Sequence, residues 1–239
     1  MTRVVLLHGF LGRGADWRAV RAALPSAWAV DAPDLPGHGR AASAPCTMDA
    51  AADRVLAGQA GPVDVVGYSM GGRLALHLAV TRPEAVRRVV VVSGSPGLPA
   101  EAERAARRTL DANRAAAIRA DLPGFVRAWY RMPLWHSLSE PLRQRLIADR
   151  IAHNRPAGLA ASLAGMGTGA QPSHWDALAG ISVPVWAVAG ALDARYLRLA
   201  RQMAEAPSIE AVTLPDAGHL IPAEAPTALA ALLTDLFSR

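Results

Sequence analysis

Ser69 lies in a setting that favours nucleophilic chemistry. The segment Gly67-Tyr68-Ser69-Met70-Gly71 places a glycine two residues to each side of it. A turn between such glycines is tight enough to expose the serine hydroxyl in a strained conformation. The residues before this segment are typical of a buried strand, and those after it are typical of a helix packed on a sheet. Ser69 is therefore predicted to stand at a sharp turn between a strand and a helix.

Asp193 and His219 are predicted to complete a catalytic centre with this serine. A serine becomes reactive when a base takes its proton and an acid orients that base. Each of the two residues follows a predicted strand, and together with Ser69 they come in the order Ser, Asp, His, which suits a parallel sheet. Asp216, three residues before His219, is an alternative acid, although its place in the same loop favours a role in the turn.

Two backbone amides are predicted to form an oxyanion hole. The first predicted strand ends in His8-Gly9-Phe10-Leu11-Gly12, and its glycines allow the N–H groups of this loop to point into a cleft. The backbone N–H of Phe10 and that of Met70, directly after the serine, are the expected donors. His8 is expected to shape this turn.

The positions of these residues imply an α/β fold. Strands are predicted at 4–7, 28–31, 63–66, 88–92, 183–188 and 210–214. Helices are predicted at 16–24, 47–59, from 70 to the residues before Pro83, and at 223–237. Because strands and helices alternate, right-handed crossovers should build a mostly parallel central sheet with helices on both faces.

The alternation stops between the fourth and fifth predicted strands. Helical segments are predicted there at 101–119, 124–131 and 140–153, without strands between them. We interpret residues 99–172 as a helical cap insertion over the carboxyl edge of the sheet. Residues 1–98 and 173–239 then form the core of one globular unit.

The composition excludes several classes of partner and cofactor. The 25 basic residues among 239 are all arginine, but they form no dense run, so no nucleic acid is expected despite the net charge of +5. Arginine binds carboxylates, which leaves an acidic small molecule as the partner. Cys46 is the only cysteine, and the sequence has no Cys/His cluster with metal-ligand spacing and no nucleotide-binding motif. We therefore expect no metal and no cofactor. No apolar run suits a membrane anchor, and a cytoplasmic location is expected.

Several segments together resemble the α/β-hydrolase superfamily. They are His8-Gly9-Phe10-Leu11-Gly12, Asp34-Leu35-Pro36-Gly37-His38-Gly39, Gly67-Tyr68-Ser69-Met70-Gly71-Gly72-Arg73 and Ala217-Gly218-His219. Within it, Arg73, Ser95-Pro96-Gly97-Leu98, the arginine-rich segment after 101 and residues 166–173 resemble the menaquinone-pathway family MenH. That family consists of 2-succinyl-6-hydroxy-2,4-cyclohexadiene-1-carboxylate synthases. The resemblance implies a carbon–oxygen lyase that eliminates pyruvate from 2-succinyl-5-enolpyruvyl-6-hydroxy-3-cyclohexene-1-carboxylate, without a cofactor.

The same resemblance implies a set of substrate-binding residues. Arg73 lies four residues after Ser69 on the same helical face, where it suits a substrate with several carboxylates. The other positions that match the family are Tyr68, Arg107, Trp129 and Arg150, with Arg108 as the alternative to Arg107.

Two other functions share the predicted triad. An ordinary serine hydrolase would use it on esters, thioesters or carbon–carbon bonds. A ligand receptor without turnover would use the same pocket for binding only. An arginine beside the serine favours a polyanionic substrate over a neutral ester.

Overall fold

The computed structural model describes residues 2–238 and has a single six-stranded sheet in that part of the chain. The strands are β1 (Arg3–Leu7), β2 (Ala29–Asp31), β3 (Val63–Tyr68), β4 (Val86–Val92), β5 (Val185–Gly190) and β6 (Ile209–Leu214). They are all parallel, in the order β2-β1-β3-β4-β5-β6. The parallel α/β architecture predicted from the sequence is confirmed.

Helices connect the strands. They are α1 (Arg18–Ala23), α2 (Met48–Leu56), α3 (Met70–Thr81), α4 (Glu101–Ala120), α5 (Leu122–Trp129), α6 (Glu140–His153), α7 (Pro156–Met166), α8 (Ala194–Met203), α9 (Ile221–Glu224) and α10 (Pro226–Leu236). Short 3₁₀ helices span Gly14–Trp17, Gly39–Ala41, Pro83–Ala85, Pro133–Trp135 and Trp175–Gly180.

Apolar side chains from both faces of the sheet enter two separate cores. Val4 and Leu6 of β1 belong to one buried cluster, and the alternate residues Val5 and Leu7 belong to the other. Because successive side chains of a strand point to opposite faces, a sheet covered on both sides needs continuous apolar runs. These runs are why the strands were recognisable in the sequence.

Two helical segments differ from the sequence prediction. The last helix was expected to run unbroken over 223–237, but it is divided into α9 and α10 at Ala225. Pro226 causes this division because proline lacks an amide hydrogen and is favoured in the first turn of a helix. Helix α7 was not predicted at all.

Residues between β4 and β5 are helical, as expected. The described chain forms α4 to α7 there and no strand, and α4 packs against α7 and α5. The division into a core of residues 1–98 and 173–239 and an insertion of residues 99–172 stays a prediction.

Candidate active site

Ser69 occupies a strained turn between β3 and α3. Its φ of 51° and ψ of −106° lie in a region that side chains rarely adopt. A Cβ atom at Gly67 would collide with the carbonyl of Gly71, and one at Gly71 would collide with the carbonyl of Leu7. The two glycines are therefore needed for the tight approach of strand and helix that presents the Ser69 hydroxyl at the carboxyl edge of the sheet.

His219 joins Ser69 to Asp193. Its Nδ1 lies 2.7 Å from Asp193 Oδ2, and its Nε2 lies 3.3 Å from Ser69 Oγ. Asp193 follows β5 and caps α8, where its Oδ1 accepts a hydrogen bond from the N–H of Tyr196. Asp216 is exposed in a turn with a φ of 56°, so the acid beside His219 is Asp193. The arrangement allows His219 to accept a proton from Ser69 while Asp193 holds the ring.

The carboxylate of Glu224 holds the loop that carries His219. Its Oε2 accepts the N–H of Gly218 at 2.9 Å, and its Oε1 accepts the N–H of Leu220 at 2.7 Å. These two amides flank His219 in the chain. The bidentate contact thus fixes the backbone on both sides of the histidine.

Aromatic rings surround the imidazole of His219. The ring centroids of Tyr196, Trp135 and Tyr68 lie 4.6, 5.4 and 5.6 Å from it. The histidine is buried, and its ring is confined by these neighbours. Burial raises the pKa of Tyr68 and of Tyr196, so both phenols stay protonated at neutral pH.

The two residues predicted to supply the oxyanion amides line the cavity that contains Ser69 and His219. Phe10 and Met70 both line it, and among the described residues neither backbone N–H has a hydrogen-bond partner. The Nε2 atom of His8 accepts the N–H of Leu35, and that of His38 accepts the N–H of Leu11. These contacts fix the loop that carries Phe10, as expected for His8.

A cavity of about 900 Å³ opens above Ser69 and His219. Loops from the sheet edge form its floor, and helices between β4 and β5 form much of its wall. The lining includes the predicted residues Tyr68, Arg73, Arg107 and Trp129. This volume suits a small organic ligand.

Arg73 brings an uncompensated positive charge to this cavity. Its Nη1 donates to the neutral amide oxygen of Gln171 at 3.0 Å, and no carboxylate of the described residues pairs with it. Burial and the Arg107 guanidinium lower the pKa of Arg73 to about 10, which keeps it charged at neutral pH. An anionic ligand would supply the missing partner.

Arg150 does not line the cavity, contrary to the substrate-binding role expected for it. Its guanidinium is buried against the carboxylates of Asp16 and Asp149, with contacts of 2.7 and 2.8 Å, and against the hydroxyl of Tyr130. These partners use the donors that a substrate would need. Arg150 therefore ties α6 to the 3₁₀ helix Gly14–Trp17.

Arg107, and not Arg108, faces the cavity. Arg108 bonds to Glu101 and to the carbonyl of Gly169 on the outer side of α4. Of the two alternatives, Arg107 is thus the one that lines the cavity.

Four polar residues around the site were not identified from the sequence: Gln171, Glu224, Asp111 and Arg114. The contacts of Gln171 and Glu224 form only when the loops that carry their partners are folded. Asp111 and Arg114 carried a readable signal, because with Arg107 they are spaced i, i+4 and i+7 on one face of α4.

Within residues 2–238, no group of three or more His, Cys, Asp or Glu side chains could hold a metal ion. The same part of the chain has no helix that is long and apolar enough to cross a membrane.

Comparison with known proteins relates the chain to enzymes of one fold. Residues 4–232 match the alpha/beta hydrolase family. The chain is 33% identical to the 2-succinyl-6-hydroxy-2,4-cyclohexadiene-1-carboxylate synthase of Enterobacter sp. (strain 638), over 98% of the chain and 90% of that protein. The corresponding synthase of Serratia proteamaculans is 32% identical, over 96% and 91%.

Two solved structures are similar over nearly the whole chain. MenH from S. aureus has a TM-score of 0.92 with 28% identity, and the match covers 99% of this chain and 93% of that one. A thermophilic esterase from Thermogutta terrifontis has a TM-score of 0.84 with 25% identity, covering 100% and 90%.

Proposed function

The chain belongs to the alpha/beta hydrolase family, and from that premise we propose that it is a carbon–oxygen lyase. Its substrate is 2-succinyl-5-enolpyruvyl-6-hydroxy-3-cyclohexene-1-carboxylate, from which it eliminates pyruvate to give 2-succinyl-6-hydroxy-2,4-cyclohexadiene-1-carboxylate. The observation that carries this proposal is the guanidinium of Arg73, which faces the cavity beside Ser69 with only a neutral amide as its partner. The similarity to synthases with this product supports it.

The reaction begins with removal of a ring proton. Ser69 gives its own proton to His219 and takes the proton from the ring carbon that carries the succinyl group. The electron pair of that C–H bond moves onto the adjacent carbonyl and forms an enolate. The backbone N–H groups of Phe10 and Met70 donate to its oxygen.

Loss of pyruvate completes the elimination. The enolate collapses to a double bond between C2 and C3 of the ring, the existing double bond shifts from C3–C4 to C4–C5, and the bond between C5 and the enolpyruvyl oxygen breaks. The leaving enolate of pyruvate takes up one proton, so the proton removed from the ring balances the reaction. No bond between Ser69 and the substrate is formed, and the reaction needs no metal or cofactor.

A serine hydrolase is the alternative, because the same serine, histidine and aspartate also serve ester cleavage. The structural similarity to the Thermogutta esterase favours keeping it. Arg73 separates the two functions, since a desolvated guanidinium near the serine binds an anion but gains nothing from a neutral ester. A binding protein without turnover is the third possibility.

Pyruvate release by two variants tests the proposal. Ser69→Ala removes the group that takes the proton, and we expect kcat to fall by about 10²–10⁴-fold. Arg73→Ala is expected to lower kcat/KM by about 10–100-fold, since a hydrogen-bonded charge contributes roughly 1.5–3 kcal/mol. The control is Arg201→Ala, on the exposed side of α8. Equal pyruvate release by the unaltered chain and Ser69→Ala would contradict the mechanism.

The proposal also specifies where the protein acts. A polycarboxylate of low molecular weight is its partner, without nucleic acid or membrane insertion. A cytoplasmic location agrees with the single cysteine, because proteins of reducing compartments do not depend on disulfides.

A further inference from the structure

Two guanidinium groups on α4 share one carboxylate oxygen. Arg107 Nε lies 2.9 Å from Asp111 Oδ1, and Arg114 Nη1 lies 3.3 Å from the same atom. Both arginines line the cavity. The side chain of Asp111 is buried, with only 2% of the residue's surface exposed, so it lies within the wall of the cavity.

The cluster has a surplus of positive charge and of hydrogen-bond donors. Two arginines oppose one aspartate, which leaves a formal charge of about +1. Each guanidinium has five N–H donors, and among the described residues each uses only one side-chain contact to Asp111. The charge and the donors of this wall are therefore available to a ligand.

The surroundings keep Arg114 in place without neutralising it. Its guanidinium carbon lies 5.4 Å from the ring centroid of Trp129, a cation–π contact that limits where the group can move. Burial and the neighbouring Arg107 lower the pKa of Arg114, although Asp111 opposes this shift. A bound anion would offset the repulsion between the two guanidinium groups.

We infer that Arg114 is a further specificity-determining residue, whose guanidinium binds the same carboxylate of the substrate as the expected substrate-binding residue Arg107. Arg73, on α3, binds a second carboxylate of the same molecule. Arg73 lies on a different helix of the same cavity, so a ligand with more than one carboxylate can engage both helices. The identity of the ligand rests on the proposed function, whereas the preference for polycarboxylates does not.

Direct binding tests the role of Arg114. Isothermal titration of the Ser69→Ala protein uses two probes, the enolpyruvyl substrate and propane-1,2,3-tricarboxylate. We compare the Ser69→Ala parent with versions that also carry Arg114→Ala or Arg114→Gln; the glutamine keeps a polar side chain but no charge. Both are expected to weaken the binding of each probe by about tenfold or more. The control adds Arg108→Ala on the same helix, which should change Kd by less than twofold.

The outcomes separate the role of Arg114 from the enzymatic function. Loss of tricarboxylate binding in the Arg114 variants supports this role, even if the unaltered chain releases no pyruvate, which would overturn only the lyase. Unchanged affinity in Arg114→Gln, or no tricarboxylate binding by the parent, would overturn the role of Arg114. Circular dichroism checks that each variant is folded. If Arg114→Ala does not fold, the binding result of Arg114→Gln decides the test.

Discussion

Glu224 influences the catalytic geometry because it holds the backbone on both sides of His219. Its two oxygens bind the amides of Gly218 and Leu220, so the position of His219 depends on a side chain that never contacts Ser69. A base displaced by a fraction of an ångström loses its alignment with the proton it must move. Glu224 is thus a positioning residue.

Replacing Glu224 by glutamine tests that role. The variant keeps one acceptor oxygen and loses the second, so one of the two amides is left without its partner. We expect kcat for pyruvate release to fall about tenfold while KM stays within twofold, because the substrate-binding arginines are not disturbed. A steady-state assay gives both constants.

Asp216→Asn is the matched control for this measurement. Asp216 lies in the same loop but is exposed, and asparagine tolerates its positive φ. We expect unchanged kcat and KM. If Asp216→Asn lowered kcat and Glu224→Gln did not, the assignment of the groups that hold His219 would be wrong.

The sequence predicted the three central residues because their order and their places after strands suffice to bring them together. Gln171 could not be predicted in this way, since its contact with Arg73 joins residues 98 positions apart. The contacts of Arg150 could not be predicted for the same reason, because its partner Asp16 lies 134 positions earlier. Helix α6 carries Arg150 together with other arginines. Only the packing of the folded chain decides which side of this helix faces the cavity.

At the level of elements, two buried histidines hold the loops that follow β1 and β2 at the carboxyl edge of the sheet. His8 and His38 each accept a backbone N–H through Nε2, and the Nδ1 atoms lie 2.8 Å from the carbonyl of Gly9 and 3.0 Å from that of Pro36. Both rings must therefore be neutral. Burial lowers the pKa of His8 to about 4 and that of His38 to about 3.

These depressed pKa values predict acid sensitivity of the fold. In the unfolded chain the histidines bind protons below about pH 6.5, whereas in the folded chain they do not until about pH 3 to 4. The free energy of unfolding should be highest above pH 6.5 and fall as the pH drops, by up to about 1.4 kcal/mol per pH unit for each histidine.

The variant His38→Gln isolates one of these contributions. Urea unfolding at pH 7.5, 6 and 5 should show a smaller loss of stability on acidification than in the unaltered chain, although the variant is less stable at pH 7.5. The exposed His136→Gln should keep the original slope. Identical pH dependence in His38→Gln and the unaltered chain would refute the buried neutral state of His38.

A strand or helix could be predicted where its residue types indicate which of its sides are buried. Strand β4 reads as a buried strand because its last residues are all valine. Helix α7 escaped prediction because its alanine- and glycine-rich sequence has no apolar stripe, and several of its sides are buried. Only the proline at its first position marked a helix start.

For the molecule as a whole, the sheet supplies the reactive groups and the helices between β4 and β5 supply much of the charge. Ser69, Asp193 and His219 all follow strands, whereas Arg107 and Arg114 belong to α4. With 25 arginines and no lysine, composition alone could not tell a binding arginine from a surface one. The cavity makes that distinction, and it joins a proton-transfer centre to a site for carboxylates.

A competition experiment tests this combination most directly. The unaltered protein is given equimolar enolpyruvyl precursor and p-nitrophenyl acetate in one reaction, and pyruvate and p-nitrophenolate are followed together. We predict that pyruvate is released while p-nitrophenolate forms no faster than without protein, since the neutral ester gains nothing from the arginines. Rapid release of p-nitrophenolate without pyruvate would contradict the account in favour of a hydrolase, and release of neither product would favour a binding protein.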